Sequence, residues 1–265
     1  MNLRLAIALA LATGACRRPP EAPEALDELT RYLYAEWDNE DPRVLAAGLD
    51  NLRLQLDDVD YDGALQDRSW ELTPMNAASV SDVPHPDRDP KNTLGVAVTF
   101  QSVWPSTDHA RLQTEDDQTV TEPSAATYDR TFPELDDPGC FVDAGCEVLV
   151  TENLVERQNL IISVQGTLFK QFRWSELEDG EMAFISRSWI AEPWVGDNNN
   201  NTIWQSYSID VWLPGPGGAR RFQTLWSESE VGGASDSILI TTVKVSTDDI
   251  FEAGDAAIET LYHSR

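Results

Sequence analysis

The chain has 265 residues, of which 41% are hydrophobic and nine are Trp, and its 46 acidic against 19 basic residues give a formal net charge of −27. A chain of this length and apolar content can bury the core of a single domain, which excludes general disorder. The acidic balance argues against any nucleic-acid partner, because DNA and RNA binding depends on Lys and Arg neutralising phosphates. The acidic residues are spread along the chain, which is typical of a solvated surface.

Residues 1–15 have the layout of an export signal. Arg4 is their only charged residue, an apolar run follows from Leu5 to Ala12, and the last three residues are small. This order is typical of a cleaved signal peptide. The apolar run is shorter than the roughly 20 residues that a membrane-spanning helix needs. We therefore predict that 1–15 is a signal peptide.

Cys16 follows these small residues directly. The stretch LATGAC, with Thr13 in place of the usual Leu, resembles the bacterial lipobox, in which the cysteine thiol receives a diacylglycerol before cleavage. The resemblance implies a lipidated Cys16 that anchors the protein to a membrane, since each buried methylene contributes about 0.8 kcal/mol. Arg17 is not the Asp that retains lipoproteins at the inner membrane, so we expect a lipid anchor in the outer membrane of the cell envelope. A plain secretory signal with an incidental cysteine is the alternative.

A proline-rich spacer separates this anchor from the folded part. Residues 16–23 contain three prolines, which favour an extended, semi-rigid segment. We expect one globular, strand-rich domain over 24–265.

A helical hairpin is predicted at the start of this domain. The first apolar stripe has helical spacing and consists of Leu26, Leu29, Leu33 and Trp37. Asp41 is a candidate N-cap with Pro42 at the first helical position. A second apolar stripe follows from Val44 to Leu56.

An acidic loop follows the hairpin. Asp58, Asp60 and Asp62, with Gly63 after them, match the first six positions of a calcium loop. Position twelve is Ser69, where such loops carry a bidentate Glu. We expect an exposed acidic turn, no metal and no cofactor, with weak Ca²⁺ binding as the alternative.

From about Asn92 the apolar period changes from helical to two. Residues of one parity in the first such run are Leu94, Val96, Val98, Phe100 and Trp104. Further runs of this kind are Leu160 to Trp174, Glu181 to Ile190, Ile203 to Leu213, Arg220 to Glu228 and Ser237 to Val245. The connections among them are short and turn-like, which implies antiparallel pairing.

Two other segments complete the predicted architecture. The polar, proline-punctuated segment from Pro105 to Pro138 is predicted as loop. The tail returns to helix, with Ser246 and Thr247 as capping candidates. The predicted fold class is α+β: mainly an antiparallel β-sheet, a meander, with an N-terminal helical hairpin and a C-terminal helix.

Cys140 and Cys146 form an isolated, glycine-flanked pair. In an exported protein such a pair most simply forms a disulfide. A metal site would need further ligands, and no His is close to them in the sequence.

The sequence contains no recognised catalytic motif: HExxH, GxSxG and GxxxxGK[ST] are all absent. His85, His109 and His263 have no metal-ligand spacing, and His85, between two prolines, is interpreted as a loop residue. We therefore predict no catalytic residue. A pair of carboxylates could act as a catalytic acid and base, but chance pairs are expected among 46 acidic residues and indicate nothing.

Four tryptophans cluster around one predicted hairpin: Trp189, Trp194, Trp204 and Trp212. We interpret them as core residues, given the area that each ring buries. A platform for carbohydrate or an aromatic ligand is the alternative.

The stretches HPDRDPKNTLGVAV, at His85, and RSWIAEPW with QSYSIDVWLP resemble uncharacterised predicted lipoproteins of myxobacterial and related genomes. This resemblance implies a location in the cell envelope and no particular activity. We therefore expect a non-catalytic envelope lipoprotein that binds or scaffolds an unknown partner at the membrane surface. The alternative is a small-molecule-binding domain whose sheet and terminal helix enclose an apolar cavity, as in helix-grip folds. An enzyme is the third hypothesis.

Overall fold

A computed structural model describes residues 21–158, 163–196 and 201–264. The predicted signal peptide and Cys16 lie outside these residues. Within them, nine strands form one antiparallel sheet with helices on both faces. The elements in chain order are α1 (Leu26–Ala35), α2 (Pro42–Leu56), β1 (Ser69–Leu72), β2 (Leu94–Gln101), α3 (Ser106–Leu112), β3 (Ala125–Thr131), β4 (Val148–Gln158), β5 (Ser163–Glu176), β6 (Met182–Trp189), β7 (Trp194–Val195), β8 (Asn201–Gly215), β9 (Gly218–Val231) and α4 (Asp236–Ile258). Across the described ranges, no helix combines the length and apolar character needed to cross a bilayer.

The sheet is a meander with one addition. Its strand order is β1-β2-β9-β8-β6-β5-β4-β3, and the short β7 also pairs with β8. Each strand from β3 to β5 pairs with its successor, β6 pairs with β8, and β8 pairs with β9. The N-terminal strands β1 and β2 join at the free edge of β9. The predicted fold class is confirmed.

The helical hairpin packs on one face of the sheet, which we call the hairpin face. Asp41 accepts a hydrogen bond from the Arg43 backbone N–H, and Pro42 begins α2, as its spacing predicts. The hairpin buries six leucines: Leu29, Leu33, Leu45, Leu49, Leu52 and Leu56. They pack against sheet residues that include Ala97, Ile185, Tyr207, Ile209, Val211, Leu213, Phe222 and Trp226. This is the principal hydrophobic core.

Helix α4 lies on the opposite face. Its C-terminal half is fixed by polar and aromatic contacts: Arg68 donates two hydrogen bonds to Asp248, of 2.6 and 2.8 Å, and the Phe251 ring packs 5.6 Å from that of Phe100. The indole N–H of Trp104 donates to the carbonyl of Asp255 at 3.1 Å. These contacts hold α4 across β2 and β9.

The predicted strand over Ser237 to Val245 is wrong, because this segment is the first half of α4. Its β-branched residues alternate, yet Leu239, Val243 and Ile250 also recur at helical spacing. Strand β9 already pairs with β8 and β2, so neither of its edges accepts a further hairpin partner. The predicted caps Ser246 and Thr247 therefore lie inside the helix.

The segment from Pro105 to Pro138, predicted as loop, contains α3 and β3. The sequence interpretation also missed β1 and β4. Four predicted runs correspond to β5, β6, β8 and β9, although their ends differ by a few residues. The first predicted run is β2, which ends at Gln101 rather than continuing to Trp104.

Cys140 and Cys146 are joined by a disulfide around a 3₁₀ turn at Pro138–Phe141, with their Cα atoms 5.3 Å apart. Phe141 inside this turn is fully buried against Phe172 and Trp174. The bridge thus closes a local loop beside β4.

Candidate ligand-binding cavity

A cavity of about 200 Å³ lies between the sheet and α4. Its floor is made of hydroxyl side chains from the three central strands: Ser188, Ser206, Ser208, Ser227 and Ser229. Successive side chains of a strand point to opposite faces, so the large neighbours of these serines fill the hairpin face. Serines are too short to reach α4, and the space between them and the helix stays open.

The roof of the cavity is mainly apolar, although the hydroxyls of Thr242, Ser246 and Thr247 on α4 also line it. Helix α4 contributes Leu239, Ile240, Val243 and Ile250, and apolar side chains of the sheet, such as Leu225, complete the walls. The cavity therefore presents an apolar surface opposite a hydroxyl surface. Such a combination suits a molecule with both apolar and polar parts.

One end of the cavity is charged. Lys170 donates a 2.6 Å hydrogen bond to Asp210, and Arg157 lies 3.1 Å from the carboxylate of Glu122. A smaller pocket of about 50 Å³ continues from this end, toward Gly254 of α4, and shares Lys170, Asp210 and Glu122 with the main cavity. Two further arginines, Arg130 and Arg221, line the smaller pocket.

Arg130 is 4% exposed and extends from β3. Its Nε donates to the amide oxygen of Asn153 at 2.8 Å, and one Nη donates to the backbone carbonyl of Gln113 at 2.7 Å. No carboxylate of the described residues lies within 4.0 Å of its guanidinium. Burial lowers the pKa of Arg130, because the charged form loses its hydration.

Arg221 is 6% exposed and extends from β9 beneath α4. Its guanidinium carbon lies 4.5 Å from the ring centre of Phe251 and 5.5 Å from that of Trp212. Burial lowers the pKa of Arg221 to about 10, against the opposing influence of Asp210 and Asp255. Among the described side chains, neither carboxylate approaches Arg221 within 4.0 Å.

Several polar atoms at this end have no hydrogen-bond partner among the described residues: Arg221 Nε, Asp210 Oδ1 and Gln223 Oε1. Buried polar groups in folded proteins are almost always hydrogen-bonded. Three buried polar atoms without protein partners thus belong to side chains that line this end of the cavity.

A serine, a histidine and a carboxylate also meet near this end, but not in a catalytic order. Ser102 donates to Asp255 at 2.7 Å, and His109 Nε2 lies 2.9 Å from the Ser102 hydroxyl. In a nucleophilic triad the histidine lies between serine and carboxylate, whereas here Ser102 does. Ser102 is fully buried and lines neither cavity. The cluster fixes α4 to β2 and α3.

The other sequence candidates lie outside the cavity. Asp58, Asp60 and Asp62 are exposed, and Asp60 accepts a hydrogen bond from the Asp62 backbone N–H at 3.2 Å. Within the described ranges, no group of three or more His, Cys, Asp or Glu side chains has the geometry to hold a metal ion. His85 is exposed in a loop, and His263 stacks on Trp104 with ring centres 4.2 Å apart, so the three histidines do not converge.

Of the four clustered tryptophans, Trp189, Trp194 and Trp212 are buried in hydrophobic clusters. Trp204 is half-buried beneath the guanidinium of Arg88, at 4.9 Å. Trp194 also lines the main cavity and Trp212 the smaller pocket. Trp194 and Trp212 therefore both pack in hydrophobic clusters and line a cavity.

The sequence interpretation missed the serine floor and the two arginines. The signal for the floor is the stretch QSYSID, where Ser206 and Ser208 alternate with large apolar residues. The alternation alone does not show whether solvent or a helix covers the serine face. Arg130 fell in a segment predicted as loop.

An antiparallel sheet curved against a long C-terminal helix, with a cavity between them, defines the helix-grip class of folds. A STAR-related lipid transfer protein from Xanthomonas axonopodis has a TM-score of 0.45 at 10% identity, covering 63% of this chain and 87% of its own. A protein from Thermus thermophilus has a TM-score of 0.41 at 13% identity, covering 63% of this chain and 99% of its own. Human StAR-related lipid transfer protein 5 has a TM-score of 0.39 at 8% identity, covering 64% and 77%.

No protein-family model matches the sequence, and no curated protein matches it. Because the TM-scores lie below 0.5, the proposals that follow depend on the residues of this chain.

Proposed function

We propose that this domain binds an amphipathic small molecule between the sheet and α4. The observation that carries the proposal is the cavity of about 200 Å³ with a mainly apolar roof, a hydroxyl floor and polar atoms without protein partners at one end. Interiors of folded proteins are close-packed, and voids larger than a water molecule are few. A space many times larger than a water molecule, with apolar walls and a few polar groups, is therefore a candidate binding site.

The scaffolding role that was expected first from the sequence requires no such space. A filled interior would favour it, whereas the cavity favours the alternative of a small-molecule-binding domain. The Ser102, His109 and Asp255 cluster supports no enzyme, because its hydroxyl is buried and already hydrogen-bonded to the carboxylate.

Binding can be tested with Nile red, a neutral apolar dye, and the purified full chain carrying Cys16→Ser. Ser208→Phe should fill the floor from β8 and abolish the fluorescence gain, and Val243→Trp should do the same from α4. Ser81→Phe, at an exposed loop position, is the matched control and should bind as the parent does. Circular dichroism would verify folding. Equal dye binding by the parent and both filled variants would refute the proposal.

We further propose that a lipid on Cys16 anchors the domain in the cell envelope, at the outer membrane, with residues 16–23 as the spacer. The support is the signal-like stretch before Cys16. Labelled palmitate should enter the parent chain and not Cys16→Ser, and cell fractionation should place only the labelled form in the outer membrane. Equal labelling of both chains would defeat this proposal.

A further inference from the structure

We infer that the ligand carries an anionic head group, a carboxylate or phosphate ester, held at the charged end of the cavity by Arg130, Arg221 and Lys170. The inference rests on the proposed function, since it names the chemical class of the molecule that the cavity takes. The rest of the ligand is then an apolar chain that extends beneath Val243 and Leu239.

The charges that line the two connected cavities do not balance. The cations are four, Arg130, Arg157, Lys170 and Arg221, and the carboxylates are two, Glu122 and Asp210. This excess of positive charge lies inside a chain whose formal net charge is −27. An acidic protein that concentrates cations in its interior does so against its overall composition.

Each of the two carboxylates already has a cationic partner, although Oδ1 of Asp210 has no hydrogen-bond partner among the described residues. Asp210 accepts from Lys170 and Glu122 pairs with Arg157, which leaves Arg130 and Arg221 as the surplus. Asp255 is the other carboxylate near Arg221, but it accepts from Ser102 and lines neither cavity. His109 lines the smaller pocket, and its burial, together with Arg221, keeps its pKa well below 6.5, so it is neutral at pH 7.

A buried charge without a counter-charge is costly. Arg130 and Arg221 therefore favour any ligand that brings an anion, because charge-assisted hydrogen bonds to a guanidinium replace the lost hydration. The Nε donor of Arg221 is buried and has no acceptor among the described residues. Lys170 lies at the junction of the two cavities, within the same charged end, and its charge is paired with Asp210.

A second buried arginine site in the same sheet shows what compensation looks like. Arg187 is 2% exposed on the hairpin face, and its guanidinium forms ion pairs with both Asp38 and Asp82. It also donates to the amide oxygen of Gln171 at 2.9 Å. Where this fold needs a buried arginine for structure alone, it surrounds the guanidinium with acceptors. Arg221 has fewer acceptors: one Nη donates to the backbone carbonyl of Phe251 at 3.4 Å, and no carboxylate of the described residues lies within 4.0 Å.

The test compares three amphiphiles with one tail: decanoate, decanol and decyltrimethylammonium, each titrated calorimetrically into the full chain carrying Cys16→Ser. We expect decanoate to bind at least about tenfold more tightly than decanol, a difference of about 1.4 kcal/mol. Decyltrimethylammonium should bind more weakly than either. Decyl phosphate and inorganic phosphate form two further arms, which separate an amphiphile's head group from a free anion.

Three variants locate the head group. Arg221→Gln and Arg130→Gln should each reduce decanoate affinity about tenfold or more and leave decanol affinity unchanged. Arg173→Gln is the matched control: it removes one positive charge from β5, but its guanidinium bonds Glu147 and the carbonyl of Trp37 on the other face. It should change neither affinity. Retained decanol binding verifies that each variant is folded.

The outcomes are distinct. If no amphiphile binds, the proposed function itself fails. If decanoate, decanol and decyltrimethylammonium bind equally, the cavity binds amphiphiles but the anionic head group is wrong. If inorganic phosphate binds as tightly as decyl phosphate, the site takes a free anion and the amphiphile is wrong. If Arg173→Gln weakens decanoate as much as Arg221→Gln, the preference comes from overall charge and the assignment to Arg221 is overturned.

Discussion

The two faces of the sheet are built from the same strands and have opposite characters. On the hairpin face, large apolar side chains such as Ile209, Phe222 and Trp226 are fully buried and the space is filled. On the α4 face, their neighbours Ser208 and Ser227 leave a cavity. Because side chains alternate between faces, one strand serves both. Stability and ligand recognition can therefore be separated residue by residue.

The buried arginines differ between the faces in the same way. Arg187, on the hairpin face, has two carboxylate partners, whereas Arg130 and Arg221, on the α4 face, have none within 4.0 Å among the described residues. On the hairpin face, the protein itself supplies the partners of the buried arginine. On the α4 face, Arg221 Nε, Asp210 Oδ1 and Gln223 Oε1 have no hydrogen-bond partner among the described residues.

The largest expected effect compares two leucines on adjacent strands. Leu213, on β8, is fully buried in the hairpin-face core, and Leu213→Ala should lower the free energy of unfolding by about 2–5 kcal/mol. Leu225, on β9, borders an existing cavity, so Leu225→Ala should cost less than about 1 kcal/mol, since it removes fewer packing contacts. Urea unfolding measures both. Equal costs would show that the two faces are packed alike.

The second comparison exchanges the arginines for methionine, which has a similar shape. Arg187→Met should lower the free energy of unfolding by about 2 kcal/mol, because it removes a paired charge and leaves two carboxylates without partners. Arg221→Met should raise it by about 1 kcal/mol in ligand-free protein, since an uncompensated buried charge is removed. Thermal melts without ligand decide the signs. Destabilisation by Arg221→Met would show that its contacts with Phe251 and Trp212 outweigh the burial cost.

The third prediction concerns pH and His109. Burial lowers the pKa of His109 well below 6.5, and Arg221 lowers it further. Below about pH 6.5 the unfolded chain therefore binds a proton that the folded protein does not. Stability should fall as the pH drops from that value toward the folded pKa, by at most about 1.4 kcal/mol per pH unit for this one proton.

Urea unfolding at pH 7.5 and pH 5.5 measures this dependence. His109→Gln keeps a donor toward Ser102 and cannot titrate, so its loss of stability over the same interval should be smaller. An identical loss in both chains would assign the dependence to other groups.

The smallest expected effect is at the acidic turn of Asp58, Asp60 and Asp62, which is exposed and lines neither cavity. Tight calcium binding at a hundredfold excess over Kd would raise stability by about 2.7 kcal/mol. The missing Glu at Ser69 removes two oxygens from the ligand set, so melts in millimolar calcium and in chelator should differ only slightly. A large calcium-specific rise, abolished by Asp60→Ala, would contradict this expectation.

The sequence predicted the hairpin face better than the cavity, for a physical reason. Apolar stripes such as Leu26 to Trp37, and the apolar period of two in strands, indicate which side chains are buried. Both patterns correctly predicted the helical hairpin and the sheet on which it packs. The cavity depends on α4, whose first half has the β-branched alternation of a strand. Without the helix in place, Ser206 and Ser208 have the pattern of solvent-facing residues.

The charged end of the cavity was not predicted from the sequence, for a different reason. Arg130 and Arg221 are separated by about ninety residues, and neither belongs to a local motif. They extend from β3 and β9, which are not neighbours in the sheet, and both line the smaller pocket beside α4. The composition is misleading as well, because an acidic chain gives no indication that basic side chains line an internal cavity.

Helix α4 approaches Arg221 so closely that the residues allowed at position 254 depend on the residue at position 221. A Cβ at Gly254 would lie 2.8 Å from Nη1 of Arg221, so the helix tolerates a side chain there only if the guanidinium withdraws. Substitutions at the two positions should therefore be epistatic. A lineage that exchanged Arg221 for a shorter residue would free Gly254 to vary, and one that kept the arginine would hold the glycine. Any redesign of this protein toward a neutral cargo has to change the strand and the helix together.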